Sequence, residues 1–468
     1  MRVVKFGGEC LADAARFQRS RDIVRETRGE TAVVVAAVGD TTDRLIKAAR
    51  LAAGGEDAYL GIVESLRDRH LAIIRALLPP REHATAVTAL QLLLNELEDI
   101  LHGVELVGEC TPRTLDLVMS FGERISAQLF TECLGTEGVA ARLVDARKLI
   151  VTDGQHGRAV VDYAESYARL RDALRPGQGV PVLTGFIAST PGGATTTLGR
   201  DGSDYTASIV AAALAAELIE IWTAREGVRS ANPEHVPGAF VIPRLSYREA
   251  MELAYFGARI IHPFALLPAV ERGIPIRVKR LETPEAEGTL ITDTAAKVDT
   301  PVAGIASVDH VASINVEGGG MIGIPGMAAR IFSAMAHAGV NIMMISQASS
   351  EQSICLVLRE IEAERAVAAL ERELEEEVRE KRIQKFECIR NLAIVAVIGD
   401  RMQGHRGMSG RLFSVMGREG INILVIAQGS SERNISFVIS GEDETRALRA
   451  LHREFLEAAP PLDPRRRP

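Results

Sequence analysis

The sequence predicts an α/β protein, a strand–helix alternation followed by two copies of a small α+β module. Two observations predict this. Up to about residue 296, short β-branched apolar runs alternate with stretches of helical periodicity, the pattern of a sheet covered by helices. Beyond residue 302, one block of sequence recurs at a constant offset of 81 residues, the mark of one supersecondary unit used twice.

The strands of the first part are Val3–Phe6, Thr31–Val38, Ala140–Asp145 and Val180–Ile187, with Leu218–Trp222 and Ile274–Val278 after them. Helical patterns fill Ala12–Arg28 and Glu123–Leu134, and an Ala-rich apolar run from Ala207 to Leu218 reads as a buried helix. Residues 60–106 have helical periodicity and little strand character, so a helical insertion is expected there. The catalytic-type domain is expected over residues 1–296, with Lys297–Pro301 as linker.

In the repeat, Gly326-Met-Ala-Ala-Arg-Ile-Phe-Ser-Ala-Met335 matches Gly407-Met-Ser-Gly-Arg-Leu-Phe-Ser-Val-Met416. Asn341 matches Asn422, and the Ser-Gln-Ala-Ser-Ser-Glu turn at Gln347 matches Ala-Gln-Gly-Ser-Ser-Glu at Gln428. Each copy reads strand, Gly-rich loop, helix, strand, polar turn, strand. The modules are expected over 302–385 and 386–456, with a disordered tail at 457–468. The charged stretch Arg359–Arg382 reads as a solvated helix between them.

The 468 residues carry a net charge of −8, which argues against general nucleic-acid binding. No apolar run is long and charge-free enough to span a bilayer, and the N-terminal residues lack a signal-peptide core. The five cysteines are scattered and odd in number, the usage of reduced thiols in a cytoplasmic protein.

The chemistry concentrates in Leu198-Gly-Arg-Asp-Gly-Ser-Asp-Tyr-Thr-Ala207. A Gly-rich turn opening a helix offers free N–H groups and a positive dipole end to an anion. Arg200 adds a planar fork suited to a carboxylate. Lys5-Phe6-Gly7-Gly8 ends the first strand, where glycines admit a close ligand and Lys5 can meet phosphate charge. By itself such a Gly-Gly after a strand is more often just a turn, and the P-loop spacing is absent. Glu123 is read at a helix start, either as a charge favoured there or as a receiver of a substrate ammonium. Thr41-Thr42-Asp43 reads as a helix N-cap.

These motifs resemble the aspartate kinases of the amino acid kinase superfamily. Lys5–Gly8 is similar to the family's KFGG motif, and Gly122-Glu123-Arg124 and Leu198–Asp204 to its two substrate motifs. Ser246–Ala258 with His262-Pro263 is similar to a further signature, and the repeats resemble paired ACT modules. The resemblance is nearest to the kinase half of bifunctional aspartokinase–homoserine dehydrogenases. It implies a three-layer α/β/α sandwich followed by two ACT modules. It implies ATP- and Mg2+-dependent phosphorylation of the L-aspartate β-carboxylate to 4-phospho-L-aspartate, the step that leads toward threonine, lysine and methionine. Lys5 and Asp204 take the catalytic positions, and Thr42, Glu123, Arg200, Gly202 and Ser203 bind substrate. Lys5, Phe6, Gly7, Gly8, Thr223, Ala224, Arg229 and Arg259 fall at the ATP. The resemblance marks Gln347, Asn341, Gln428 and Asn422 for an effector, threonine or lysine, and implies a homodimer or larger oligomer joined through the ACT modules. No protein metal ligand is marked.

The chain departs from the family in two places. Glu9-Cys10 replaces a Thr-Ser pair, which puts an extra negative charge near the phosphates. After Trp222 the family reads TDVDGVYTxDPR, whereas here Ala224, Arg229 and Glu234 replace aspartate, tyrosine and arginine. Either the pocket is rebuilt around the same nucleotide or nucleotide binding is weakened. Two alternatives to an aspartate kinase follow: a relative acting on another small carboxylic acid, and an amino-acid-sensing regulatory subunit with an impaired nucleotide site.

Overall fold

The computed structural model describes residues 1–257, 263–294, 300–321, 324–347 and 352–457. Arg259, His262, most of the linker, residues 348–351 and the residues from 458 onward fall outside the described residues. The chain divides into two compact units, and the division is not a single cut. Residues 1–228, 241–247 and 259–295 form the first unit, while 229–240, 248–258 and 296–468 form the second.

The first unit runs β1 (Arg2–Phe6), α1 (Ala14–Glu26), β2 (Thr31–Val35), α2 (Thr41–Ala53), α3 (Ala58–Leu77), α4 (Pro80–Val107), α5 (Pro112–Thr136), β3 (Ala141–Val144), α6 (Tyr163–Ala173), β4 (Val180–Thr184), β5 (Ile187–Ser189), β6 (Thr195–Thr197), α7 (Gly202–Leu214), β7 (Leu218–Thr223) and β8 (Arg244–Ser246). Helix α8 (Tyr247–Tyr255) passes into the second unit, and α9 (Pro263–Glu271), β9 (Ile276–Arg280) and β10 (Thr289–Thr292) complete the first. Eight strands form one sheet in the order β3-β4-β2-β1-β7-β9-β10-β8. The strands from β3 to β9 in that order pair in parallel. The chain winds to one side of β1 first and to the other side later. A crevice therefore opens at the carboxyl end of β1, where open α/β sheets take ligands.

The pleat decides what each β1 side chain meets. Val4 and Phe6 join the core built with α1 to α5. Lys5, one residue between them, turns to the opposite face and meets α7. Helices α3 and α4 bury one stripe each, including Val63, Leu66, Ile73, Leu90, Leu94, Leu97 and Leu101. They realise the helical segment expected at 60–106.

One expectation about this unit is corrected. Glu123 does not start a helix: α5 begins at Pro112 behind the Thr111 N-cap, whose hydroxyl accepts from the Thr114 amide at 3.1 Å. Proline at a first helical position is pre-organised to start the helix. Glu123 is therefore mid-helix and buried.

The second unit follows the 81-residue repeat closely. It contains β11 (Gly304–Glu317), α10 (Met327–His337), β12 (Ile342–Gln347), β13 (Ser353–Arg359), α11 (Ala363–Glu373), α12 (Glu375–Arg379), β14 (Lys385–Ile398), α13 (Met408–Arg418), β15 (Val425–Ala427), β16 (Asn434–Ser440) and α14 (Glu444–His452). Strand β14 repeats β11, α13 repeats α10 and β16 repeats β13, each at the same offset. One antiparallel sheet, β12-β13-β11-β14-β16-β15, joins the copies. Its central strands bend at equivalent places, His310 (φ 52°) and Asn391 (φ 54°).

That bend divides each long strand between two cores. Ala312, Ile314 and Val316 of β11 pack with α10 and α11, whereas Ile305 packs with Val395, Val397 and Phe437. The stretch Arg359–Arg382 is not one solvated helix. It breaks at Leu374, and Ala363, Ala366, Leu370 and Leu374 are core residues. Their spacing is that of an amphipathic helix, which the many charges of its outer face obscure in the sequence.

Among the described residues, no helix is long and apolar enough to cross a membrane.

Candidate active site

The site lies in the first unit, at the carboxyl end of β1. Lys5 Nζ is 2.5 Å from Asp204 Oδ1, and both side chains are nearly buried. Asp204 stands in the first turn of α7. Burial raises its carboxyl pKa, and the Lys5 ammonium opposes that rise. The N-cap of α7 is Asp201, held at φ 53°, a backbone region that a non-glycine residue seldom occupies. The turn that carries it opens a 13-residue helix, in which the Gly202 and Asp204 amides donate to the Gly199 and Asp201 carbonyls and the Ser203 amide is left at the helix start. Gly202 and Ser203 are buried there, while Arg200 is exposed with no ion-pair partner among the described residues.

The loops after β1 and β2 touch at Gly8, where a Cβ would come within 2.8 Å of the carbonyl oxygens of Ala37 and Gly39. The same Ala37 loop meets α5. A Cβ on Gly122 would lie 2.7 Å from the Ala37 Cβ, so the motif Gly122-Glu123 needs its glycine for this approach. Glu123 then reaches the loop, and its Oε1 accepts from the Ala37 amide at 3.2 Å. Its Oε2 is buried without a partner. Burial pushes the Glu123 pKa up to about 8. A carboxyl group so placed awaits a cation, because burying an ionised group without a partner is costly.

Thr41 and Thr42 open α2 behind Asp40. The Thr41 hydroxyl is spent, donating to the Val38 carbonyl at 2.5 Å. Thr42, the residue marked from the sequence, is partly exposed on the same first turn. A profile of the amino acid kinase family matches residues 1–280, and an ACT domain profile matches residues 314–374 and 395–455. The chain belongs to the amino acid kinase family.

Within that family, the chain is similar to the bifunctional aspartokinase/homoserine dehydrogenase 2 of Arabidopsis thaliana, 36% identical over 97% of this chain and 50% of the relative. The chain thus spans about half the length of the bifunctional relatives it matches. Aspartokinase 1 of the same plant is 33% identical over 97% of this chain and 80% of its own. Among solved structures, E. coli aspartokinase III in complex with aspartate and ADP superposes with a TM-score of 0.83, at 30% identity over 97% of this chain and 99% of its own. The same enzyme in complex with lysine and aspartate gives 0.77 at 31% identity, over the same shares.

The second set of residues marked from the sequence lies at the ends of β7 and β9. Gly7 donates its N–H to the Trp222 carbonyl at 3.1 Å, which joins the Gly7-Gly8 turn to Thr223 and Ala224. Lys279 lies over the Trp222 ring at 4.9 Å and donates to the Pro284 carbonyl at 2.6 Å. Arg280 pairs with Glu226 at 3.2 Å and with Glu282 at 3.3 Å. Sequence reasoning missed Lys279 and Arg280, since two basic residues at a strand end read as ordinary solvated charges.

Arg229 belongs to the second unit, where its guanidinium donates to the Ala239 carbonyl at 2.9 Å. The 229–240 segment is packed on α14 through Ser230–His452 (2.9 Å) and His235–Thr445 (2.7 Å). Cys10 is buried beside the site, and burial pushes its thiol up to about 12, so it stays protonated and unreactive. Glu9 is exposed.

Asn341, Gln347, Asn422 and Gln428, the positions expected from the sequence to meet an effector, are all exposed. In the second module the Ser409 hydroxyl of α13 is 3.5 Å from the Gln428 amide oxygen, and Glu432 accepts from the Gly404 amide at 2.7 Å. The helix-opening loop and the polar turn of that copy therefore face one another.

Proposed function

We propose that the chain phosphorylates the β-carboxylate of L-aspartate with ATP, forming 4-phospho-L-aspartate and ADP. The observation that carries this is the occurrence of Glu123, a buried carboxyl with an unpartnered oxygen, together with Arg200, a cation without an ion partner among the described residues. An amino acid with two carboxylates supplies an ammonium for the first and a carboxylate for the second. The third group, the β-carboxylate, is left to react.

The chemistry asks little proton transfer of the protein. The attacking carboxylate is ionised at neutral pH. Its oxygen forms a bond to the γ-phosphorus while the bond from γ-phosphorus to the bridging oxygen breaks, and the electron pair leaves with ADP. Catalysis is then alignment and charge neutralisation. Lys5 neutralises the transferring phosphoryl group, and Asp204 holds its ammonium in place. The Ser203 amide and hydroxyl at the start of α7, beside Gly202, donate to phosphate or carboxylate oxygens, and Thr42 completes the substrate side. The backbone of Phe6, together with Gly7, Gly8, Thr223 and Ala224, lines the nucleotide, with Arg259 as a further cation. Mg2+ travels with the nucleotide on its phosphate oxygens. Among the described residues, no three His, Cys, Asp or Glu side chains gather to hold a metal.

The ACT pair is proposed to bind threonine or lysine at the Asn341/Gln347 and Asn422/Gln428 turns, and to join chains into a homodimer or larger assembly. We assign residues 1–296 to catalysis and the two modules that follow to regulation. The five free cysteines suit a reducing compartment such as the cytoplasm.

Calorimetry tests the reading. MgATP and L-aspartate should each bind, and succinate, which lacks the ammonium, should bind far more weakly than aspartate. Binding of aspartate without any binding of MgATP at millimolar concentration would favour a sensor instead.

A further inference from the structure

We propose that Asp116 is a positioning residue for substrate binding: through Thr197, His156 and Gly157 it sets the place of the turn that carries Arg200. The inference rests on the aspartate kinase reading above and extends it to residues outside the substrate contacts.

Asp116 lies on α5 and is 1% exposed. All its accepting capacity is turned to one region. Its Oδ1 accepts from the Thr197 hydroxyl at 2.7 Å. Its Oδ2 accepts from His156 Nδ1 at 2.8 Å and from the Gly157 amide at 3.1 Å. An ionised carboxylate is acceptor-only, so His156 carries its proton on Nδ1 here. Three donors satisfy this carboxylate, in contrast to Glu123, so it holds structure rather than ligand.

What it holds is the approach to Arg200. Thr197 ends β6, three residues before Arg200. Two further contacts lace β6 to the segment beside it: Ala159 donates to the Thr197 carbonyl at 3.2 Å, and the Thr152 and Thr196 hydroxyls are 2.7 Å apart. Gly157 also backs the turn directly, for a Cβ on Gly199 (φ 78°) would lie 3.5 Å from the Gly157 carbonyl oxygen. The far end of the turn is fixed by α7, where Gly202 donates to the Gly199 carbonyl at 3.1 Å. Among the described residues Arg200 makes no ion pair that would aim it, so its backbone does the aiming.

Asp116 and Glu123 are seven residues apart on one helix. Seven residues make nearly two turns, so both side chains leave the same face, about 10 Å apart along the axis. Helix α5 thus carries the ammonium receiver at one point and the anchor of the carboxylate-binding turn at another. A rigid helix fixes their separation, and misplacing such a group by about 1 Å can cost on the order of a hundredfold in rate.

The test uses the full chain and compares Thr197→Val, which keeps shape and loses the hydroxyl, with Thr197→Ser, which keeps the hydroxyl. Asp116→Asn and His156→Phe accompany them, and melting temperature is recorded for each. Thr197→Val and Asp116→Asn should raise KM for aspartate roughly tenfold or more, as expected for a lost hydrogen bond to a buried charge. KM for ATP should stay within about twofold, and Thr197→Ser should restore the wild-type aspartate KM. An unchanged aspartate KM in Thr197→Val, or equal rises in both KM values that follow the melting temperature, overturns the proposal. A wild-type chain that neither binds nor phosphorylates aspartate overturns the aspartate reading itself, and the positioning role with it.

Discussion

Lys5 Nζ and Asp204 Oδ1 are 2.5 Å apart inside the crevice, so the cation at the end of β1 is held by the first turn of α7. The pair joins the loop proposed to face phosphate to the helix proposed to face substrate. It also keeps a lysine where its side chain would otherwise swing freely, which is the form of preorganisation that phosphoryl transfer needs.

Replacing Lys5 by Met should lower kcat by roughly 10²- to 10³-fold, with a much smaller change in aspartate affinity. Asp204→Asn should lower kcat less, since the ammonium remains but loses its tether. Steady-state kinetics on the two variants check this. Equal losses in aspartate binding and in kcat for Lys5→Met would mean that the lysine binds substrate rather than the transferring group.

Glu123 gives a pH signature. Its pKa is raised by burial from 4.5 to about 8, so near pH 7 the empty site is mostly protonated. An arriving ammonium favours the ionised form, and aspartate binding should therefore release a proton. Calorimetry in buffers of different ionisation enthalpy reads that release directly.

The same group links pH to stability. Because its folded pKa lies above its unfolded value, its contribution is full below about pH 4.5 and is lost as pH rises toward 8. Glu123→Gln should remove this loss and raise the melting temperature above pH 8, by an amount worth up to a few kcal/mol, while abolishing aspartate binding. Equal melting curves for the two proteins at high pH would show that Glu123 is not buried in this way.

The altered stretch after Trp222 separates into two parts. Arg229 bonds to the Ala239 carbonyl within the second unit. Arg229→Tyr is therefore expected to weaken that unit by about 1 kcal/mol and to leave the affinity for MgATP unimproved. Thermal melting and nucleotide calorimetry together check both halves. A large gain in MgATP affinity from Arg229→Tyr would mean that the arginine obstructs the nucleotide.

The shared strands make a prediction about fragments. Residues 386–457 lack Ile305, which packs with Val395 and Phe437, so this fragment should not fold alone. Residues 300–457, which contain both long strands but lack Ala231, Val236 and Ala239 of the same core, should fold by circular dichroism and melt below the full chain.

The repeat and the main strands were legible because they depend on local pattern. The offset of 81 residues, the β-branched runs and the Gly-rich turn before α7 all lie within short windows. The course of α5 was harder, since Gly122 and the polar residues around it blur a helical stripe that starts ten residues earlier, at Pro112. Glu123 and Arg200 could be singled out by type and neighbourhood. Asp116 could not, because a lone aspartate near a helix start ordinarily means nothing more than a favoured charge, and its partners Thr197 and His156 are 81 and 40 residues away. The exchange of strand halves between modules was hidden for the same reason: only pairing in space reveals which half of β11 serves which core.

Trapping the acyl product tests the central claim most directly. With MgATP, hydroxylamine and L-aspartate, the chain should form aspartate β-hydroxamate and ADP in equal amounts, and Lys5→Met should form neither at a comparable rate. ADP formed without hydroxamate, or hydroxamate formed from another carboxylic acid but not from aspartate, would contradict the account.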